Sequence, residues 1–227
     1  MPRPTLDAVE ARVAGALAEK SLATPDHYPL TMNALVAACN QRSSREPVTD
    51  YAERDVAAAV DRLMRRGLAG TTAGAGHRVA KVRHLLDRAL DLSRRELAAL
   101  TVLLLRGPQT PGEINARTGR LADFAGVADV EETLWLLGDR DEPLVVQLDR
   151  EPGQSADRYA HRLSGEVEGV TTAAPAGTPS DATSGAARTP SAPSGEEAGP
   201  LADRVRQLER ELAELRAEWE AFRARFE

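Results

Sequence analysis

The segment YAERDVAAAVDRLMRRGLAGTTAGAGHRVAKVRH, residues 51–84, contains the pattern that decides the fold. Its first half predicts a helix that ends at Gly67, because apolar residues recur at helical spacing: Val56, Val60 and Leu63. Two short β-type runs follow at 68–72 and 78–84, and the sequence AGAG between them is typical of a hairpin turn. A helix followed directly by a hairpin is how a winged helix-turn-helix domain ends.

Two further helices are predicted before this segment. The first covers residues 6–20 with Thr5 as its N-cap, and the second covers 30–40, with Leu30 on its apolar face. The third helix, from about residue 51 to 66, is expected to be capped by one of two residues, Thr49 or Asp50. Three helices and a hairpin complete one winged-helix domain, with predicted bounds 1–86.

The same order of elements recurs in a second predicted domain, residues 87–169. Its first helix, 93–106, has Ser93 as N-cap and Glu96 in the capping-box position. The remaining elements are two helices and two strands: 110–119, 129–140, 144–149 and 158–163. The predicted fold class is therefore α+β, mainly α, with two winged helix-turn-helix domains in tandem.

The last part of the chain has a different composition. Residues 170–200 are rich in Ala, Pro, Ser, Thr and Gly, which predicts a disordered linker. Residues 201–227 predict a coiled-coil helix, because apolar residues alternate at spacings of four and three: Leu201, Val205, Leu208, Leu212, Leu215, Trp219, Phe222 and Phe226. The flanking charges are opposite at every g–e′ pair, which favours a parallel homodimer. The alternative is a helix that docks on its own chain.

Charge is distributed unevenly along the sequence, whose net charge is −6. Residues 1–86 have 12 Lys or Arg against 9 Asp or Glu, a net of +3. Residues 87–168 have 10 against 16, a net of −6, and residues 169–227 have 7 against 10, a net of −3. Only the first predicted domain is basic, and only there does the charge favour a polyanionic partner.

Composition also indicates in which cellular compartment the protein is found. The chain has 1 cysteine, so it has no internal disulfide framework and suits a reducing environment. The N-terminal stretch lacks the apolar core of a signal peptide, and no apolar run is long enough to span a membrane. These features predict a cytoplasmic protein without a membrane partner.

Catalytic and cofactor motifs are not evident. Cys39 is the obvious candidate nucleophile, but it follows Leu35 and Val36 at helical spacing, which favours a buried structural cysteine. The four histidines form no Cys-His signature, and His, Cys and carboxylate spacings indicate no metal site. We therefore predict a non-enzymatic protein without metal or cofactor, and nothing in the sequence points to a small-molecule pocket.

Candidate DNA contacts lie in the first predicted domain. In a winged helix the third helix enters the major groove and the hairpin contacts backbone or minor groove. The turn before this helix, its outward face and the hairpin supply nine candidates: Arg42, Ser44, Arg45, Arg54, Arg62, Arg65, Arg78, Lys81 and Arg83. Arg42 and Arg45 have a second interpretation, as partners of carboxylates such as Glu46 and Asp50. The corresponding helix of the second domain is acidic, which favours dimerisation or protein docking.

Several segments together resemble the bacterial YceH-like family. They are LDAVEARVAGALAEK, TPDHYPLTMNALVAACNQRSSREPV, LLLRGPQTPGE, and REPG followed by RYAHRLSGEVE. The resemblance covers most of residues 5–168 and implies a cytoplasmic tandem winged-helix protein with a C-terminal helical segment. It implies no activity and no catalytic residues. The long linker and the weakly basic loop REPGQSADRY depart from the family pattern.

Two functions from different classes follow. The first is a non-enzymatic DNA-binding or transcription-regulatory protein that binds double-stranded DNA through its first winged helix and dimerises through the C-terminal helix. The alternative is a protein-interaction adaptor, in which the winged helices and the coiled coil bind a protein partner without DNA.

Overall fold

The structure is a computed structural model that describes residues 4–72, 80–149 and 156–165. Every described residue belongs to one compact unit, within Met1–Ala174. The linker predicted for 170–200 and the heptad pattern predicted for 201–227 lie outside the described residues.

The first half of this unit contains three α-helices, a 3₁₀ turn and a hairpin: α1 (Ala8–Ala23), the turn (Pro25–His27), α2 (Met32–Cys39), α3 (Glu53–Arg65), β1 (Ala69–Thr72) and β2 (Lys81–His84). The second half repeats this order after one additional short helix: α4 (Leu86–Ala89), α5 (Arg94–Arg106), α6 (Pro111–Thr118), α7 (Val127–Gly138), β3 (Val145–Leu148) and β4 (Arg158–His161). The prediction of a mainly helical α+β fold is confirmed.

Both hairpins are antiparallel and share one detail of construction. In β1–β2 Ala69 is opposite His84, and in β3–β4 Val145 is opposite His161. Each hairpin gains a one-residue bridge from the segment that precedes the second helix of its half: Leu30 with Val82, and Gln109 with Tyr159. The sequence predicted Leu30 as part of the second helix, and this prediction is wrong. The Leu30 backbone pairs with the sheet, and α2 begins two residues later.

The helix caps are partly those that the sequence predicts. Ser93 and Glu96 form the expected capping box at α5. The predicted cap at Thr5 is wrong, because Asp7 accepts a hydrogen bond from the Glu10 backbone N–H and starts α1. The predicted cap of α3 is also wrong: its N-cap is Ala52, and no side chain caps it.

The two halves are packed together through α1 and α5. Buried aliphatic residues from both halves form one continuous cluster, in which Val13, Leu17, Leu100 and Leu103 are fully enclosed. At the closest approach a Cβ on Gly15 would lie 2.9 Å from Leu105 Cδ2, so glycine is needed for this spacing. The predicted domain bounds at 86 and 169 stay predictions. Residues on both sides of position 86 contribute to the same hydrophobic core.

Candidate functional site

A buried arginine of α1 holds the connection between α2 and α3, residues 40–52, by hydrogen bonds. Arg12 of α1 is 4% exposed, and its guanidinium donates to the carbonyl oxygens of Cys39, at 3.1 Å, and Pro47, at 2.6 Å. It also donates to Thr49 Oγ1 at 3.1 Å. Burial lowers the pKa of Arg12. The same contact explains the absence of a threonine cap on α3, since the Thr49 hydroxyl is held by Arg12.

A second buried arginine belongs to the connection itself. Arg45 is 4% exposed and donates to both oxygens of Glu19, at 3.1 and 2.7 Å. Its Nε and Nη2 also donate to the Ala38 carbonyl oxygen, at 3.0 and 2.8 Å. Burial alone would raise the pKa of Glu19, but the hydrogen bonds and charge of Arg45, with a smaller contribution from Lys20, lower it overall.

Asn40 closes the ends of this connection. Its side-chain amide donates to the Tyr51 carbonyl oxygen at 2.9 Å and accepts from the Tyr51 backbone N–H at 2.8 Å. Together with Arg12 and Arg45, Asn40 fixes this polar loop, because the three side chains form hydrogen bonds with backbone groups that make no helix or sheet hydrogen bonds there.

These contacts divide the candidates in the connection. Arg45 is withdrawn from solvent and its guanidinium is occupied, so it holds the turn and drops out of the candidate interface. Its carboxylate partner is Glu19, from α1, and not the neighbouring Glu46 or Asp50. Arg42 is exposed, and its guanidinium makes no hydrogen bond or ion pair within the described ranges. Ser44 is half-buried with φ of 59°, and its carbonyl oxygen accepts from Arg45 at 2.8 Å.

The outward face of α3 carries two accessible arginines. Arg54 and Arg65 are exposed and separated by eleven residues, three helical turns, with Asp61 between them on the same face. The side chain of Arg54 is 87% exposed, and its nearest carboxylate is the adjacent Asp55 at 3.6 Å. Arg65 has no ion-pair partner in the described part of the chain.

Arg62 lies on the same helix but faces α1. Its Nε donates to Glu10 Oε1 at 2.8 Å, and its Nη2 donates to Asp7 Oδ2 at 2.6 Å. Glu10 is 1% exposed and also accepts from Arg66 at 3.1 Å. Arg62 therefore joins α3 to the start of α1, and a nucleic-acid contact would have to compete with two carboxylates.

The hairpin of the first half offers fewer candidates. Lys81 follows the hairpin loop and is half-buried, with no ion pair to any described residue. Arg83 is also half-buried, and its Nε is enclosed without a hydrogen-bond partner among the residues described. Arg78 lies outside the described residues.

Cys39 is fully buried, as the helical spacing predicted. Burial raises the pKa of its thiol to about 11, while the charges of Arg45 and Arg12 act in the opposite direction. The thiol is protonated at neutral pH and is not accessible as a nucleophile.

The helix in the corresponding position of the second half has a different surface. On α7 the exposed large apolar side chains are Val127, Trp135 and Leu136, and Trp135 is 62% exposed. The acidic residues Glu131 and Glu132 are exposed between them. This face combines negative charge with an exposed indole. The sequence predicted the negative charge, but it did not predict the exposed apolar side chains.

Two of the clefts formed by the described residues adjoin the α2–α3 connection, although nothing in the sequence points to a pocket. One, of about 420 Å³, is formed by α1, the α2–α3 connection, α5 and α6. The other, of about 530 Å³, is bordered by Arg12, Tyr51 and His161. Burial lowers the pKa of His161 to about 4. Residues distant in sequence form both clefts, so no local motif signals them.

Within 4–72, 80–149 and 156–165 no three His, Cys, Asp or Glu side chains come together in a way that could hold a metal ion. Among the helices that the structure describes, none has both the length and the apolar character required to cross a bilayer.

A family profile described as "Protein of unknown function, DUF480" matches residues 6–154. The chain belongs to the DUF480 family. It is 48% identical to a UPF0502 protein of Shewanella amazonensis over 171 residues, 74% of this chain and 81% of the relative. It is 42% identical to a UPF0502 protein of Pectobacterium atrosepticum over 224 residues, 96% of this chain and 98% of the relative. The predicted membership of the YceH-like family is confirmed.

The DUF480 match extends from the start of α1 through β3, so it contains both buried arginines and the whole of α3 and α7. Neither the DUF480 description nor the names of the UPF0502 relatives mention an enzymatic activity.

Proposed function

We propose that this DUF480 protein is a non-enzymatic, cytoplasmic DNA-binding protein of regulatory type. The order helix, helix, helix, hairpin occurs twice, and we interpret each occurrence as a winged helix. In the first, α3 enters the major groove, while the exposed arginines of α3, the α2–α3 connection and the hairpin contact phosphates.

The exposed arginines of the first half are the observation that carries this proposal. Arg42, Arg54 and Arg65 are all exposed, on the connection before α3 and on its outward face. The buried Arg12 and Arg45 fix the connection, so Arg42 is presented from a hydrogen-bonded loop. Positioned guanidinium groups bind phosphate oxygens well because they offer paired donors.

This proposal is tested with arginine variants and a short duplex. The double variant Arg54→Gln/Arg65→Gln should bind on the order of 10-fold more weakly than wild type at low salt, because two phosphate contacts are removed. The matched control, Arg88→Gln/Arg94→Gln, removes the same charge from exposed positions outside the interface. Equal losses in both variants would show that only net charge matters, and the proposed interface would be rejected.

We further propose that residues 201–227 pair two copies as a parallel coiled coil. The heptad pattern and the opposite g–e′ charges support this, and a second copy would let two first-half interfaces bind one duplex. Deleting 201–227 should lower the mass measured by light scattering from that of two chains to that of one shortened chain. A mass that still corresponds to two shortened chains would contradict the coiled coil.

The exposed face of α7 favours a second candidate function, a protein-interaction adaptor. Trp135 is 62% exposed beside Glu131 and Glu132, and exposed tryptophans are common in protein interfaces. Negative charge on this helix would repel DNA. The adaptor function predicts that Trp135→Ala weakens capture of a protein partner in a pull-down, whereas Arg54→Gln/Arg65→Gln does not.

A further inference from the structure

The 420 Å³ cleft between α1, the α2–α3 connection, α5 and α6 has an unusual charge composition. Its charged lining residues are four cations and one carboxylate: Lys20, Arg106, Arg117, Arg120 and Glu19. Their formal sum is +3, in a chain whose net charge is −6. A concentration of positive charge in a concave, partly desolvated site strengthens the attraction for anions.

The single carboxylate does not neutralise these cations. Glu19 is bound by both Nη atoms of the buried Arg45, which does not line the cleft, and by Lys20 Nζ at 3.2 Å. Arg117 is held by Glu113 of its own helix at 3.3 Å. Lys20 and Arg117 therefore have carboxylate partners, whereas the other two lining cations, Arg106 and Arg120, have no ion pair with a described residue.

Arg106 is a lining cation without a direct carboxylate contact in the described part of the chain. It is half-buried at the end of α5, and the described chain supplies it with no hydrogen bond or ion pair. Burial lowers its pKa most, and the charges of Arg117 and Arg45 lower it further. The carboxylates of Glu46 and Glu19 act in the opposite direction but by less, so the pKa stays lowered. Arg120 is exposed on the rim and is likewise without an ion-pair partner among the residues described. A partly buried guanidinium among other cations is costly unless an anion is present.

The rest of the lining is suited to a small ligand. Val102, Leu105 and Leu121 contribute apolar surface to the lining, and Gln41 and Ser43 add polar groups from the connection. The volume is within the range of small-molecule sites and far below what a macromolecular partner would fill. Guanidinium groups bind oxyanions in paired geometry, which a halide cannot match. A phosphate has more charge and more acceptor oxygens than a single carboxylate, so a group of several cations favours phosphate.

We propose that this cleft binds a phosphate-bearing small molecule, with the phosphate at Arg106 and Arg120 and the remainder of the molecule on Val102, Leu105 and Leu121. The site shares none of the exposed arginines of α3. It adjoins the α2–α3 connection at Gln41, Ser43 and Ser44, and of these Ser44 is also a candidate DNA contact.

The test is isothermal titration of the full-length protein with inorganic pyrophosphate, in chloride buffer at about 50 mM salt. Wild type should bind one pyrophosphate per chain in a saturable manner. Arg106→Gln should weaken binding about 10-fold or more, because a charge-assisted contact is lost. Arg120→Gln should weaken it in the same direction. The control Arg88→Gln, at an exposed position outside the cleft, should stay within about twofold.

Stability separates loss of binding from loss of folding. Without anion, the Tm of Arg106→Gln should equal or exceed that of wild type, because a cation is removed from among cations. If Arg106→Gln does not fold, Arg120→Gln decides the outcome, since Arg120 is exposed and has no ion-pair partner among the described residues. Absence of saturable binding by wild type, or equal weakening by Arg88→Gln, would overturn the proposal.

A second arm distinguishes a small molecule from DNA as the source of the phosphate. Arg106→Gln should bind a short duplex with wild-type affinity, and pyrophosphate should not displace the duplex. If pyrophosphate does not bind and Arg106→Gln loses as much duplex affinity as Arg54→Gln/Arg65→Gln, the cleft accepts DNA phosphates and the small-molecule proposal is overturned.

Discussion

Arginines that look alike in the sequence have opposite roles in the fold. Arg45 and Arg65 both occur in polar surroundings and both qualified as phosphate contacts. In the structure Arg45 is enclosed and bound to Glu19, a residue 26 positions earlier, whereas Arg65 is exposed. Periodicity cannot supply such long-range pairing, because nothing in the local sequence shows which surface α1 turns towards the connection.

Removal of Arg45 tests its structural role. Arg45→Ala leaves Glu19 without its main partner in a largely buried site, so the free energy of unfolding should fall by about 3 kcal/mol. The control Arg65→Ala should change it by no more than about 0.5 kcal/mol. Chemical denaturation measures both. A loss for Arg45→Ala no larger than that of the control would show that the buried pair does not stabilise the turn.

His161 gives the protein a pH dependence below neutrality. Its pKa of about 4 in the folded state, against 6.5 in the unfolded state, means that the unfolded chain binds the proton first. Stability from the neutral ring is therefore intact above pH 6.5 and declines as the pH falls from 6.5 towards 4. From pH 7 to pH 5 the loss should be about 2 kcal/mol.

The variant His161→Phe removes this titration. Between pH 7 and pH 5 the free energy of unfolding of the variant should fall by about 2 kcal/mol less than that of wild type. Denaturation curves at the two pH values provide the comparison. Parallel declines for variant and wild type would assign the pH dependence to other groups.

At the scale of elements, prediction succeeds where the signal is local. The capping box of Ser93 and Glu96 is read from residues three apart, and it forms as expected. The start of α3 was predicted wrongly because Thr49, a suitable cap by type, is engaged by Arg12 from another helix. Helix order and type therefore follow from sequence, while caps and side-chain partners depend on packing.

The contact of α1 with α5 depends on Gly15. Gly15→Ala would improve helix propensity but bring a Cβ to 2.9 Å from Leu105 Cδ2 and 3.1 Å from Leu104 Cβ. Overpacking should dominate, lowering the free energy of unfolding by about 1 kcal/mol or more. In Gly112→Ala no atom lies within 4 Å of the new Cβ, so that control should be neutral or stabilised by up to about 1 kcal/mol. Thermal unfolding compares the two, and equal or greater stability of Gly15→Ala would contradict the close contact.

For the whole molecule, the sequence predicts the repeated order of elements and the charge difference between halves, and the structure agrees with the order. It does not predict that the halves share a core, because the spacing of apolar residues does not say which helices meet. For the same reason it predicts no cleft: Lys20, Arg106 and Arg120 come together only when α1, α5 and α6 pack. Of the candidate interface, Arg42, Arg54 and Arg65 remain accessible, while Arg45 is buried and Arg62 is bound to carboxylates.

The most direct test of DNA binding is the salt dependence of affinity for a random-sequence duplex, followed by fluorescence anisotropy with the full-length protein. Contacts from Arg42, Arg54, Arg65 and Lys81 would neutralise about four phosphates, each contributing about 0.9 to the logarithmic slope. Affinity should therefore fall on the order of 100-fold between about 50 and 200 mM salt. No binding at the lower concentration, or binding that does not weaken with salt, would contradict a phosphate-contacting role for these residues.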